Sequence, residues 1–267
     1  MSIVDDRYIV AADLSEGWLD AVETLNRASR GKVVHLIVRI ADPTREDEQI
    51  RAAAQQLIDE WNATHPSSKH FWDVETTRNT IFPFAWAQRH PEPVDLAVHY
   101  LAHYHSDALR GFISNSRGTY FGRIVAYPRG EGEAPSDQLT DTVRKLRAEL
   151  AAPTEDKPGG GSNKSSRYEI NIYNERRDTN PMGFPCLAHI SVHLHERRVH
   201  MQAVYRNEVL VGRAYGNYLG LAQLQTYIAR AAGADVGELL MTINHVELDG
   251  SKRAVQKMLA ELRMLQY

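Results

Sequence analysis

Three residues combine a reactive or recognising side chain with a suggestive setting: Cys186, Arg206 and Asn217. Cys186 is the only cysteine, and it follows Gly183-Phe184-Pro185 directly ahead of an apolar run. A thiol is a nucleophile only as the thiolate, which needs a nearby cation to be populated at neutral pH. Arg206 supplies that cation if Leu187–His195 and Val199–Arg206 pair as a hairpin, and the turn His195-Glu196-Arg197-Arg198 has the length for it. Asn217 carries an amide that donates and accepts at once, which suits a heterocycle edge offering both. Packing is the ordinary fate of a lone cysteine, since unpaired cysteines are among the most often buried residues.

Two histidine groups compete for attention. His99, His103 and His105 form a His-x3-His-x-His pattern on an expected helix, where the i,i+4 pair shares a face as zinc ligands can. Beyond Asp107 no acidic or thiol ligand accompanies them, so no metal is expected. His189, His193 and His195 alternate with Ile190, Val192 and Leu194, which reads as a polar strand face over an apolar one. Gly159-Gly160-Gly161 lacks the Lys-Ser/Thr and the strand-to-helix setting of a phosphate loop.

The elements that must hold these residues follow from periodicity. Helices are expected at about 16–28, 45–62, 94–110, 136–151, 217–232 and 251–265. Strands are expected at 33–40, 168–173, 187–195, 199–206 and 239–248, with a further possible strand at 76–84 that ends at Pro83. Val33–Ile40 is apolar nearly throughout and so expected to be buried on both faces. Mixed elements with several consecutive strands predict an α+β fold, with helices packed on a large sheet. Residues 1–267 are read as a single domain carrying a flexible Gly/Ser-rich loop at about 154–166.

Composition excludes several classes. A net charge of −3 gives no basic footprint for nucleic acid. One cysteine rules out an internal disulfide framework and suits a reducing compartment. No signal-like leader or membrane-length apolar run is seen, so a cytoplasmic protein without membrane contact is expected.

Taken in order, Pro185-Cys186, Gln202-Ala203-Val204-Tyr205-Arg206-Asn207, Tyr215-Gly216-Asn217-Tyr218 and Val236-Gly237-Glu238-Leu239 resemble the core of the thymidylate synthase family, over about Arg167 to Asp249. The resemblance implies a large mixed sheet with helices, one sheet face forming a homodimer interface. It implies Cys186 as the nucleophile that adds to C6 of a pyrimidine nucleotide resembling dUMP. Arg206 and Asn207 would bind its phosphate, helped by Arg167 from a partner subunit and by Arg30. Asn217 would read the N3 and O4 edge, favouring a uracil-type base. Glu247 and Asp249 stand where the family's sugar-reading His-x-Tyr lies, so the sugar can differ. The reaction implied is C5 methyl or hydroxymethyl transfer from a reduced folate, methylene-tetrahydrofolate. Against it stand Val209 at the family's aspartate position, with Glu208 one place early, and the lack of a folate-closing lid or a placed proton-handling glutamate. The alternative is a catalytically inactive nucleotide sensor or subunit with the same fold.

Overall fold

The computed structural model describes residues 7–105, 118–152, 168–180 and 185–265. Its strands are β1 (Tyr8–Asp13), β2 (Lys32–Asp42), β3 (Tyr168–Asn171), β4 (Leu187–His195), β5 (Arg198–Tyr205), β6 (Glu208–Val209) and β7 (Asp235–Glu247). They make a seven-stranded mixed sheet in the order β1-β2-β7-β5-β4-β3, with β6 beside β7. β1 runs parallel to β2 and β6 parallel to β7, whereas β2 with β7 and β3 with β4 are antiparallel. Helices pack on this sheet, so the α+β expectation holds.

Contacts sort the chain into two compact units. The first comprises residues 1–79, 204–222 and 238–267. It holds β1, β2, β6, most of β7, helices α1 (Leu14–Arg27) and α2 (Glu48–Thr64), and most of α3 (Val74–Ile81). Asp13 caps α1 by accepting from Glu16 N at 3.0 Å, while the Glu16 carboxylate returns to Ala12 N. Asp47 caps α2 through Gln49 N at 2.7 Å, which starts that helix three residues later than periodicity suggested. The inner stripe of α1, led by Trp18, Val22 and Leu25, is fully buried over Leu36, Val38 and Ile40 of β2. Each such side chain stabilises the fold by about 1.5–3 kcal/mol.

β2 is not buried on both faces. Tyr8, Val10 and Val34 are each about half exposed, on the sheet face opposite α1. His35, at φ 59°, shifts the alternation of β2 by one: Leu36, Val38 and Ile40 point inward, but so does the Val33–Val246 pair, leaving Val34 outside.

The second unit comprises residues 80–203 and 223–237. It holds β3, β4, most of β5, and helices α4 (Phe84–Ala87), α5 (Pro93–His105), α6 (Tyr120–Val125) and α7 (Gln138–Ala151). β4 and β5 are joined through Glu196 and Arg197, both left-handed (φ 48° and 61°), the signature of a two-residue hairpin turn whose twist matches the strands. Edge-to-face rings pack its core, Phe82 on Phe121 and Tyr100 on Phe121. The buried Arg123 guanidinium makes a paired contact with Asp178, at 2.6 and 2.8 Å, and also donates to Ile172 O. Helix α8 (Tyr215–Ala232), which Gly233 ends at φ 79°, and α9 (Lys252–Leu265) complete the chain.

One expected strand is a helix. Thr76-Thr77 and Thr80-Ile81 look β-like, but Asp73 accepts from Thr76 N and opens α3. Val74, Thr77 and Ile81 are buried at helical spacing. β1 was not anticipated, and β7 starts at Asp235 rather than at 239. The expected loop at 154–166 lies outside the described residues.

Removing one partner of a buried ion pair strands the other charge. Asp178→Ala is therefore expected to lower the unfolding free energy by about 3–5 kcal/mol in urea titration, whereas truncation of the exposed pair partner Asp141 shifts it by less than about 1 kcal/mol.

Candidate functional site

The polar centre of the first unit is built where β6 turns into α8. After β5 the chain bends at Arg206, places Glu208-Val209 against Val246 and Glu247, then makes a π-helical turn over Leu210–Ala214. Trp18 Nε1 donates to Leu210 O at 2.9 Å and holds the turn from below. Two glycines permit the close approach. A Cβ at Gly212 would stand 2.7 Å from Asp249 Oδ2 and 2.9 Å from the Phe71 ring, and one at Gly216 would stand 2.7 Å from Val74 O. Phe71 is itself pinned by Asn62, whose amide bonds both its N–H and its carbonyl.

Asn217, in the first turn of α8, is 4% exposed, and Glu208 is 2% exposed. The amide nitrogen of Asn217 donates to both carboxyl oxygens of Glu208 at 3.1 Å, and Val209 N adds a bond to Oε1 at 3.2 Å. Burial pushes the Glu208 carboxyl up to about 8, against the pull of these hydrogen bonds. Asp249 raises it further, and Arg213 lowers it. Beside the pair, the Tyr218 hydroxyl is buried with no hydrogen-bond partner among the described residues. Burial and the Glu208 charge both push that phenol upward.

Asp249 grips the π-helical turn, with Oδ1 accepting from Val211 N at 2.7 Å and Oδ2 from Gly212 N at 3.0 Å. Burial still raises its carboxyl to about 6. Glu247 pairs with Lys32 at 2.7 Å, and Asn207 Oδ1 meets His245 Nδ1 at 2.7 Å. Arg30 is exposed in a left-handed turn, next to Gly31, whose carbonyl accepts from Leu248 N. The Arg213 guanidinium lies 3.7 Å over the ring of Trp72.

Of the residues singled out from sequence, Arg30, Arg206, Asn207, Asn217, Glu247 and Asp249 belong to the first unit. Asn217 and Asp249 both act on Glu208 there. Arg206 is half-buried directly after β5. Cys186 belongs to the second unit, half-buried between Pro185 and the first residue of β4. Arg167 lies outside the described residues. Glu208 entered the sequence reading only as a displaced acid; its signal was an ionisable residue at the head of the apolar run Val209-Leu210-Val211.

No family model matches the chain. Over 244 residues it is 23% identical to a protein of Methanothermobacter marburgensis named "Putative thymidylate synthase", covering 87% of this chain and 88% of that one. The likeness supports a distant thymidylate synthase-like relationship.

The histidine groups resolve into ordinary contacts. His189 bonds Glu169 at 2.6 Å and Asn171 at 3.2 Å; His99 stacks on His90, and His103 meets the edge of Trp86. The side chain of His105 is not among those described. Among the described residues no group of three or more His, Cys, Asp or Glu is arranged to hold a metal ion, and no helix is long and apolar enough to cross a membrane.

A raised carboxyl pKa makes the folded state bind a proton that the unfolded chain releases near 4.5. Glu208 therefore contributes stability at low pH that is lost as pH rises from about 4.5 to about 8. Glu208→Gln keeps the shape and removes the ionisation. We expect its melting temperature to exceed that of the wild type by several degrees at pH 8, with the difference shrinking towards pH 5 in a pH series of thermal melts.

Proposed function

We propose that the protein is a thymidylate synthase-like transferase that alkylates C5 of a pyrimidine nucleotide, acting in the cytoplasm as a homodimer. The observation that carries this reading is the setting of its one thiol. Cys186 follows Pro185 at the entry to β4, is neither wholly packed nor fully exposed, and opens a run of residues in family order. The likeness to the Methanothermobacter protein over most of both chains supports it.

In this reading the Cys186 thiolate adds to C6, forming the Sγ–C6 bond and moving the C5–C6 π electrons to C5 and O4. C5 then bonds an electrophilic one-carbon unit, whose bonding pair to its donor leaves with the donor, and loss of the C5 proton restores C5=C6 as the thiolate departs. A hydroxymethyl product needs no reductant, whereas a methyl product would also need a hydride, which a reduced folate would supply. Arg206 and Asn207, with Arg30 and a second subunit's copy of Arg167, hold the phosphate. Asn217 reads the base, and Glu247 and Asp249 meet the sugar. The family resemblance implies a reduced folate as the one-carbon donor. Trp72, half-buried in the first unit, has one ring face covered by the Arg213 guanidinium. The second reading is a nucleotide-binding sensor or subunit without transferase activity, which the acidic pair Glu247 and Asp249 at the sugar-reading positions favours.

Incubation with 5-fluoro-deoxyuridylate, with and without methylene-tetrahydrofolate, separates the two readings by intact mass. The transferase gives a covalent adduct that Cys186→Ser abolishes. Nucleotide binding without any adduct identifies the sensor, and absence of nucleotide binding overturns both. For the dimer, the exposed Tyr8, Val10 and Val34 supply an apolar sheet face. Sedimentation is expected to show a dimer, with Val10→Asp shifting it towards monomer; a wild-type monomer would remove the trans-acting Arg167.

A further inference from the structure

Asn217 is held in one orientation, and Glu208 holds it. From Nδ2, the two oxygens of one carboxyl subtend a far smaller angle than separates the two amide hydrogens. The equal 3.1 Å contacts therefore describe one N–H shared between both oxygens. The second N–H and the amide oxygen are left as an adjacent donor and acceptor. Once the Glu208 carboxyl is ionised and has no proton to donate, turning the amide over would bring Oδ1 against two acceptor oxygens at the same distance, in a place where both residues are nearly inaccessible to water. Lone pairs facing one another without solvent cost far more than they would at the surface.

A reversible amide reads two opposite edges equally well. The 4-oxo pyrimidine edge presents an acceptor beside a ring N–H, and the 4-amino edge presents a donor beside a bare ring nitrogen. An amide that turns over matches either one; an amide fixed in place matches one alone. The contact with Val209 N keeps Oε1 on the same side and so fixes the carboxyl that fixes the amide.

We infer that Glu208, in its carboxylate form, is the specificity-determining residue of the base-reading site, locking the Asn217 amide so that the protein takes uracil-type nucleotides and rejects cytosine-type ones. This rests on the proposed role of Asn217 as base reader. Glu208 acts through Asn217 and is a positioning residue. Its neighbours are consistent with that part: Asp249 and Arg213 act on it only through space, and the buried Tyr218 hydroxyl has no bond to it. No cation is thus in direct contact among the described residues to explain an acid at this depth as half of an ion pair.

The test is calorimetric titration at pH 9, above the ionisation of the carboxyl, of UMP, dUMP, CMP and dCMP into the wild type, Glu208→Gln and Glu208→Met. Glutamine, its oxygen held by Val209 N, presents both an acceptor and a donor to Asn217 and so serves either orientation of that amide, and methionine fills the volume with no acceptor. The wild type is expected to prefer uracil nucleotides by about 30-fold or more. Both variants should reduce that ratio to about threefold or less through a gain in cytosine affinity, which a merely damaged fold would not produce. A folded variant that keeps the wild-type ratio overturns the inference while leaving the nucleotide reading intact. A wild type that binds none of the four overturns the nucleotide reading and the inference with it. Preference for cytosine nucleotides in the wild type overturns the assignment of uracil.

Discussion

The hydrogen bond between Asn217 and Glu208 is the constraint around which the first unit is arranged. To bury a carboxyl this deeply the fold must supply donors from its own backbone and side chains, and it does so from two directions. Val209 N comes from the strand that carries the acid, and the amide comes from the first turn of α8. The helix can reach only because the π-helical turn at Leu210–Ala214 resets its start, and the turn in turn depends on Gly212, Trp18 and Asp249. Each of these is a separate sequence decision, yet all of them serve the same few ångströms of polar interior.

Such an arrangement works against stability. Burial holds the Glu208 and Asp249 carboxyls well above the usual carboxylate range, so near neutral pH the folded chain bears a desolvation cost that the unfolded chain does not. A hydrocarbon of similar size would pack there more favourably. Groups kept at such cost concentrate at working sites, and here they adjoin a residue independently singled out from the sequence.

Much of the architecture was legible in the chain itself. Helices with an apolar stripe, such as α1 and α7, were legible from periodicity, and the structure adds the aspartates that cap them, Asp13 and Asp137. The β4–β5 hairpin followed from alternation and a short turn. α3 did not, because β-branched residues at Thr76, Thr77, Thr80 and Ile81 pointed to a strand, while the Asp73 cap and burial at helical spacing decided the outcome. Asn217 was found through the order of motifs. Its partner was not, since a π-helical turn between them erases any regular spacing that could announce contact. Burial, which decides how much an acid matters, is a property of the assembled unit and not of its neighbours in sequence.

His35 gives β2 two allegiances. With one residue in the left-handed region, the strand serves the interior along most of its length and then exchanges sides, leaving Val34 exposed, as Tyr8 and Val10 are. Histidine tolerates that backbone better than a β-branched residue would. A valine at this position would press the strand towards uninterrupted alternation and draw Val34 inward. How greasy this flank of the protein is therefore depends less on how many apolar residues the strand carries than on the torsion of a single imidazole-bearing residue between them.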